Sequence, residues 1–205
     1  MMNSEDKKLP QEVFGATVVE YEHSLFLPEQ KLRHQFFLCP IGLIGAGKTT
    51  VLKPLAERLS LVRISGDEIR KILHDKGLNY DQVWEMGAAL VKKFAYQGYS
   101  VANDTDGATP KTREALEKLS LELGSKLLYI HINPPEDFIL NKLKNFKHTW
   151  LYRDSDQALK NYYDRKPLHQ NLNLPYFFTF DTSADNLEEQ INRAEKLIRL
   201  ETGNL

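Results

Sequence analysis

The chain holds one cysteine among its 205 residues, Cys39, which excludes an intrachain disulfide framework and fits a reducing compartment. Its neighbours Phe36, Phe37 and Leu38 are apolar, so Cys39 reads as a core residue and not as a nucleophile. Excess charge of one sign is also missing: 27 basic residues balance 28 acidic ones, for a net charge of −1 at pH 7. No global field therefore exists to hold nucleic acid or an anionic membrane, although a local basic groove is compatible with these numbers. Long apolar runs are absent too. The longest, Phe36 to Ala46, is too short for a membrane span and contains Pro40 and two glycines. Glu5, Asp6, Lys7 and Lys8 precede any apolar stretch, which is not the pattern of a secretory signal. The expectation is a cytoplasmic protein with no membrane partner.

What is present is ordinary for a soluble globular chain: 41% apolar and 27% charged residues. A chain of this size buries about 70% of its unfolded surface and needs no structural metal. Residues 1–33 are polar and mixed, with a predicted strand around Thr17–Tyr21, and read as an N-terminal extension. From residue 34 to 205, strand-length apolar runs alternate with amphipathic helical stretches, the rhythm of βαβ units and a mainly parallel sheet. Strands are expected at Gln35–Ile41, Leu61–Ile64, Ser100–Asn103, Lys126–Ile132 and Tyr176–Phe180. Helices are expected near Lys48–Leu59, Asp67–His74, Asp81–Gln97, Pro110–Leu123, after Pro134–Pro135, and at Asn186–Leu200. Pro40 cannot donate to a ladder, so it is expected at the frayed end of the first strand, with Phe36–Cys39 carrying the pairing.

Between the first strand and its helix stands Gly42-Leu-Ile-Gly45-Ala46-Gly47-Lys48-Thr49, which satisfies G-x-x-x-x-G-K-[ST], the Walker A phosphate loop, in the strand–loop–helix context that the motif requires. Glycines let successive backbone N–H groups face phosphate oxygens, and the helix start adds its positive dipole end. In such a loop Lys48 reaches the β- and γ-phosphates and the Thr49 hydroxyl ligates Mg²⁺, with Ala46 and Thr50 beside them. ATP and Mg²⁺ are thus the expected cofactors.

A second segment, Ser65-Gly66-Asp67-Glu68-Ile69-Arg70, follows the second strand, at the strand ends where open α/β sheets bind ligands. Asp67 there can accept a proton from an attacking hydroxyl, and Arg70, one turn on, can hold an acceptor anion bidentately. The plainer reading is a helix cap, either a Ser65-x-x-Glu68 capping box or Asp67 itself. Asp104 closes the third strand, near the expected Mg²⁺ site. Asp104-Thr105-Asp106-Gly107 also reads as an Asx/Gly turn or, less well, as the nucleophile and acid of a D-x-D-G phosphatase.

The phosphate loop, the D-x-x-R segment, and Asn103-Asp104-Thr105-Asp106 followed by Pro110-x-x-Arg113 resemble the polynucleotide-kinase-like branch of small P-loop kinases, over about residues 35–145. The resemblance implies a three-layer α/β/α P-loop kinase fold with a mainly parallel five-stranded sheet and a lid segment. It implies an ATP- and Mg-dependent kinase whose acceptor is a polynucleotide 5′-end, a sugar or another small-molecule hydroxyl, without a stable nucleic-acid complex. By position, Lys48 and Asp67 resemble the catalytic pair, Asp67 as general base. Arg70, Asp104 and Arg113 resemble acceptor-side residues, with Thr49 and Asp104 at the metal. Adenylate kinases are similar at Ser-Gly-Asp-x-x-Arg, but their usual threonine between Ser and Gly is missing, and that activity is the alternative.

In such kinases the stretch at 142–169 is the lid. Here it interleaves Lys142, Lys144, Lys147, Arg153, Lys160, Arg165 and Lys166 with Phe146, Trp150, Tyr152, Tyr162 and Tyr163. Arg153 is its candidate nucleotide contact. Arg165-Lys166-Pro167-Leu168-His169 resembles the R-x-P-L-Y segment of shikimate kinases, where the arginine faces the acceptor. The plainer reading is an amphipathic hairpin with solvated charges. A nucleotide-hydrolysing switch is the reading from another class. Asn141-Lys142-Leu143-Lys144 lacks the aspartate of guanine recognition, and an AAA-type ATPase would have two consecutive acids where Asn103-Asp104-Thr105 offers one. A toxin-like kinase acting on a nucleotide sugar shares the phosphate loop and remains open.

Overall fold

A computed structural model describes residues 8–105, 107–145 and 151–204. Its centre is β1 (Phe36–Ile41), buried along its whole length. β2 (Val62–Ser65), β3 (Val101–Asp104), β4 (Lys126–Ile132) and β5 (Tyr176–Phe180) join it in a sheet of order β2-β3-β1-β4-β5, and every pairing is parallel. Successive side chains of a strand face opposite ways, so a central parallel strand must be apolar throughout. Phe36 and Leu38 enter one core, Phe37, Cys39 and Ile41 the other.

Two helix layers cover these faces. The first face is packed by α2 (Lys48–Arg58) through Val51, Leu52 and Leu55 and by α8 (Leu187–Thr202) through Ile191, Ala194 and Ile198. The second is packed by α3 (Gly66–Asp75), α4 (Val83–Tyr96) and α5 (Pro110–Glu122), with Ile69, Leu73, Met86, Leu90, Phe94 and Leu116 inside. This is the three-layer α/β fold with five parallel strands that the alternation predicts. Among the described residues, no helix is long and apolar enough to cross a membrane.

Two expectations and one plainer reading are corrected. The predicted strand at 17–21 lies inside a helix, α1 (Gln11–His23). Thr17-Val18-Val19 has strand propensity, but Thr17 and Tyr21, four apart, are the buried pair, and packing on α3 and α4 overrides a weak local preference. Pro40 is not frayed; it pairs with Ile130 of β4. The Phe36 N–H donates toward β3, to Ser100 Oγ at 3.0 Å, so by alternation the donorless nitrogen of Pro40 faces the same side. Registered pairs with β3 stop at Leu38, and no ladder bond is lost. Among the described residues of the basic stretch at 142–169, two helices stand where the plainer reading had a hairpin. They are the end of α6 (Glu136–Lys144) and α7 (Ser155–Gln170), whose Asp154 cap accepts the Gln157 N–H at 2.8 Å. Phe146, Lys147 and Trp150, and Asp106 of the D-x-D-G segment, lie outside the described residues.

Candidate functional site

The loop from β1 to α2 is built on two left-handed glycines, Gly45 at φ 82° and Gly47 at φ 92°. Neither conformation suits a residue with a Cβ. Space repeats the demand: a Cβ on Gly42 would come 2.7 Å from the Ile132 carbonyl oxygen. Ala46 is fully buried, and the Thr182 hydroxyl donates to its carbonyl at 2.6 Å, tying the loop to the segment after β5. Lys48 opens α2, and its Nζ donates to the carbonyls of Gly42 at 2.7 Å and Leu43 at 3.1 Å. The ammonium is thus held over its own loop. Thr49 follows, its hydroxyl donating to Asp104 Oδ2 at 3.1 Å, and Thr50 stands in the same first turn of α2.

Asp104 ends β3 in register with Ser65, the last residue of β2. Its side chain is 4% exposed, and burial pushes its carboxyl above the usual carboxylate range, opposed by Arg63, Lys48 and the Thr49 hydroxyl. Arg63 Nη1 donates to the same Oδ2 at 2.7 Å. Burial works against the charge of Arg63, yet Glu68 and Asp104 beside it hold the guanidinium above its ordinary value. A cation and donors facing a buried carboxylate favour its charged form and oppose the effect of burial, as they do here.

Glu68 accepts from Arg63 Nη2 and from the Tyr21 hydroxyl, the latter at 3.0 Å. Tyr21 in turn accepts the Ser65 N–H at 2.7 Å. Neither expected cap exists: Ser65 holds the N-cap position of α3 without a side-chain cap bond, and Glu68 is spent on Arg63 and Tyr21. Asp67 is left to pair with Arg70, Oδ1 to Nη1 at 2.6 Å, with side chains 48% and 38% exposed. Thr105 joins the two segments, since a Cβ on Gly66 would sit 3.5 Å from both Thr105 Cγ2 and Arg70 Nη1. The sequence reading gives Arg63 no role, Glu68 only that of a cap and Tyr21 only a place in a strand. The one available signal was a charge, Arg63, inside an otherwise apolar strand.

Beyond Thr105 a cleft of about 290 Å³ runs between α4 and α5, with Asn103 and Thr105 at one end and Gly87, Ala88 and Ala115 among its walls. Trp84 spans it by donating Nε1–H to the Thr112 hydroxyl at 3.2 Å, with Lys111 Nζ 3.6 Å from its ring centre. The other candidates are more dispersed. Arg113 donates back to the carbonyls of Ala108 and, at 3.4 Å, Gly107, bracing the loop after β3. Arg165 of α7 reaches the Thr109 hydroxyl of that loop at 3.4 Å. Arg153 stands at the start of α7, 84% exposed, bonded to Asp154 at 2.8 Å.

The same loop gives a testable stability effect. A Cβ on Gly107 would lie 2.5 Å from Cys39 Sγ, 2.7 Å from Ile41 Cδ1 and 2.8 Å from the Pro40 oxygen. Gly107→Ala is expected to destabilise by about 1–3 kcal/mol through overpacking. Thermal unfolding checks it; a melting temperature equal to that of the parent would mean the loop yields without cost.

No curated protein sequence matches the chain. Solved structures do, at identities that speak for the fold alone. A structure from the PezAT chromosomal toxin–antitoxin system of Streptococcus pneumoniae is 16% identical, covering 95% of this chain and 97% of its own, with a TM-score of 0.59. A candidate kinase from Chloroflexus aurantiacus is 17% identical over 84% of this chain and 100% of its own, with a TM-score of 0.64. A gluconokinase from Sinorhizobium meliloti is 15% identical over 85% and 97%, with a TM-score of 0.54. The family model described as AAA domain matches residues 38–149. It does so although Asn103-Asp104 has one acid where the sequence reading asked two of an AAA-type ATPase. The matched stretch runs from β1 past α6, takes in the phosphate loop, Asp67 and Asp104, and exceeds half of the chain, so the protein belongs to this AAA domain family and carries it in a P-loop kinase-like fold.

Proposed function

We propose that the protein is an ATP- and Mg-dependent kinase that transfers the γ-phosphate to a hydroxyl acceptor, a nucleic-acid 5′-end, a sugar or another small molecule. The observation that carries this reading is the bond between the Thr49 hydroxyl and Asp104 at the head of α2, beside Lys48. Mg²⁺ is usually bound through one or two protein oxygens plus substrate phosphates, and a threonine hydroxyl and an aspartate are that donor set. When bound, the ion would neutralise charge on the phosphates. The loop amides and Lys48 would hold the triphosphate. Asp67 would take the acceptor proton, and Arg70 would hold an anionic acceptor group. The body of the acceptor would lie in the 290 Å³ cleft that Asn103 and Thr105 help to line, next to Asp104.

Arg153, Arg113 and Arg165 stay candidates for the nucleotide and acceptor sides. Arg165 has the better placement of the lid arginines, because it already reaches the loop after β3. An ATP-consumption screen over pooled hydroxyl acceptors, read by mass shift, tests the proposal. Gain of one phosphate by one acceptor class supports it, whereas steady hydrolysis with no phosphorylated product in any pool favours the switch.

Asp104→Asn is expected to lower activity and weaken its dependence on Mg²⁺ together. Asp104→Ala should do the same and also lower the melting temperature, because it strips the partly buried Arg63 of a partner. A covalent phosphate trapped on Asp104 in the absence of ATP would replace the kinase by a phosphatase.

A further inference from the structure

The N-terminal helix is wired into the phosphate site. Tyr21 of α1 is 1% exposed, and its hydroxyl touches two groups of the body. It accepts the Ser65 N–H at 2.7 Å, where β2 gives way to α3, and donates to Glu68 Oε2 at 3.0 Å. Burial first, and then the charge of Glu68, push the phenol up, so Tyr21 is the donor of that pair. The other oxygen of Glu68 accepts from Arg63 Nη2, and Arg63 Nη1 donates to Asp104 Oδ2 at 2.7 Å. Thr49 of the phosphate loop donates to that same oxygen at 3.1 Å. One run of hydrogen bonds therefore leads from residue 21 to residue 49, through three strand or helix ends.

A chain of bonds that merely fastened α1 would not need Arg63 on Asp104, since Tyr21, Thr17 and Leu9 already bury α1 and its lead-in against the body. Arg63 does something else. One arm of its fork holds Asp104 Oδ2 and the other Glu68, and it supplies a charge where its side chain is only 13% exposed. Glu68 is half exposed and would swing without the Tyr21 hydroxyl, and the second arm of Arg63 would lose its stop. Groups that orient a metal-binding carboxylate in this way change metal affinity without touching the metal.

We propose that Arg63 is a positioning residue for the metal–nucleotide site, locked by Glu68 and Tyr21, so that the N-terminal helix sets the geometry of Asp104. The proposal rests on the nucleotide- and metal-binding half of the proposed function and not on the identity of the acceptor. It makes residues 11–23 part of the working site.

The test uses the full chain and calorimetric binding of ADP, once with Mg²⁺ and once with EDTA, alongside thermal unfolding. Arg63→Met keeps an unbranched side chain without the charge and should weaken Mg·ADP binding by about 10-fold, leaving ADP with EDTA unchanged. Arg63→Lys, which can reach only one of the two carboxylates, should fall between. Tyr21→Phe, three hydrogen bonds away from Asp104, should give a smaller loss in the same direction. It also keeps the idea testable where Arg63→Met does not fold. Parent-like Mg·ADP affinity in a folded Arg63→Met, or in Tyr21→Phe with only its melting temperature lowered, overturns the proposal. So does equal weakening with and without Mg²⁺. A parent chain that binds Mg·ADP yet phosphorylates no acceptor overturns the kinase reading alone, and one that binds no nucleotide overturns both.

Discussion

Lys48→Ala is expected to keep the fold and to lose turnover by about 10²-fold or more, the cost of deleting one preplaced charge on a group that gains charge in the transition state. The fold should survive because Lys48 contributes no core contact. Its Nζ bonds are to the Gly42 and Leu43 carbonyls of its own loop. The glycine conformations at 45 and 47 and the anchor from Thr182 to Ala46 do not involve the lysine, so the backbone cradle persists. Nucleotide binding should therefore weaken less than turnover. Steady-state ATP consumption and unfolding curves on parent and variant decide it. A folded variant with parental turnover would mean that this loop is not where phosphate transfer happens.

The strand–loop–helix around that lysine was legible in the sequence for a local reason: glycine at positive φ, an apolar strand before it and an apolar helix face after it are all encoded within 25 residues or so of one another. The five strands were legible likewise, because a parallel sheet covered on both faces demands unbroken apolar runs. The failures are long-range. Nothing near Thr17-Val18-Val19 announces that α3 and α4 will pack on it, so its β-branched residues read as a strand. Ser65-x-x-Glu68 has the form of a capping box, but Arg63 and Tyr21 compete for Glu68, and the partner that decides the contest is 47 residues away. Arg63 finds Asp104 across 41 residues, a distance at which spacing carries no information. Pro40 looked misplaced only because the sequence does not say on which side the neighbouring ladder ends.

Asp67→Asn separates a kinase from a nucleotide switch, and the structure sharpens that experiment. Asp67 makes no cap bond, so the helix start loses little when it changes. Its pairing with Arg70 at 2.6 Å is half exposed, and such a pair contributes less than about 1 kcal/mol. Both Asp67→Asn and Asp67→Ala should therefore melt close to the parent. A general base is a different matter: asparagine keeps the shape but cannot take a proton, and kcat for acceptor phosphorylation should fall by about 10²–10⁴-fold. Mg·ATP affinity should hold, since the loop amides and Lys48 supply it. Arg70→Ala should act on KM, raising it only for acceptors that carry an anionic group, as expected of a contact used equally in ground and transition states. It also releases Asp67 from its ion pair, and any modest kcat change is read against Asp67→Asn to separate clamp from orientation. Steady-state rates over acceptor concentration, with melting curves beside them, give all three answers. Normal kcat in a folded Asp67→Asn would remove Asp67 from the chemistry and leave the D-x-x-R segment a surface ion pair.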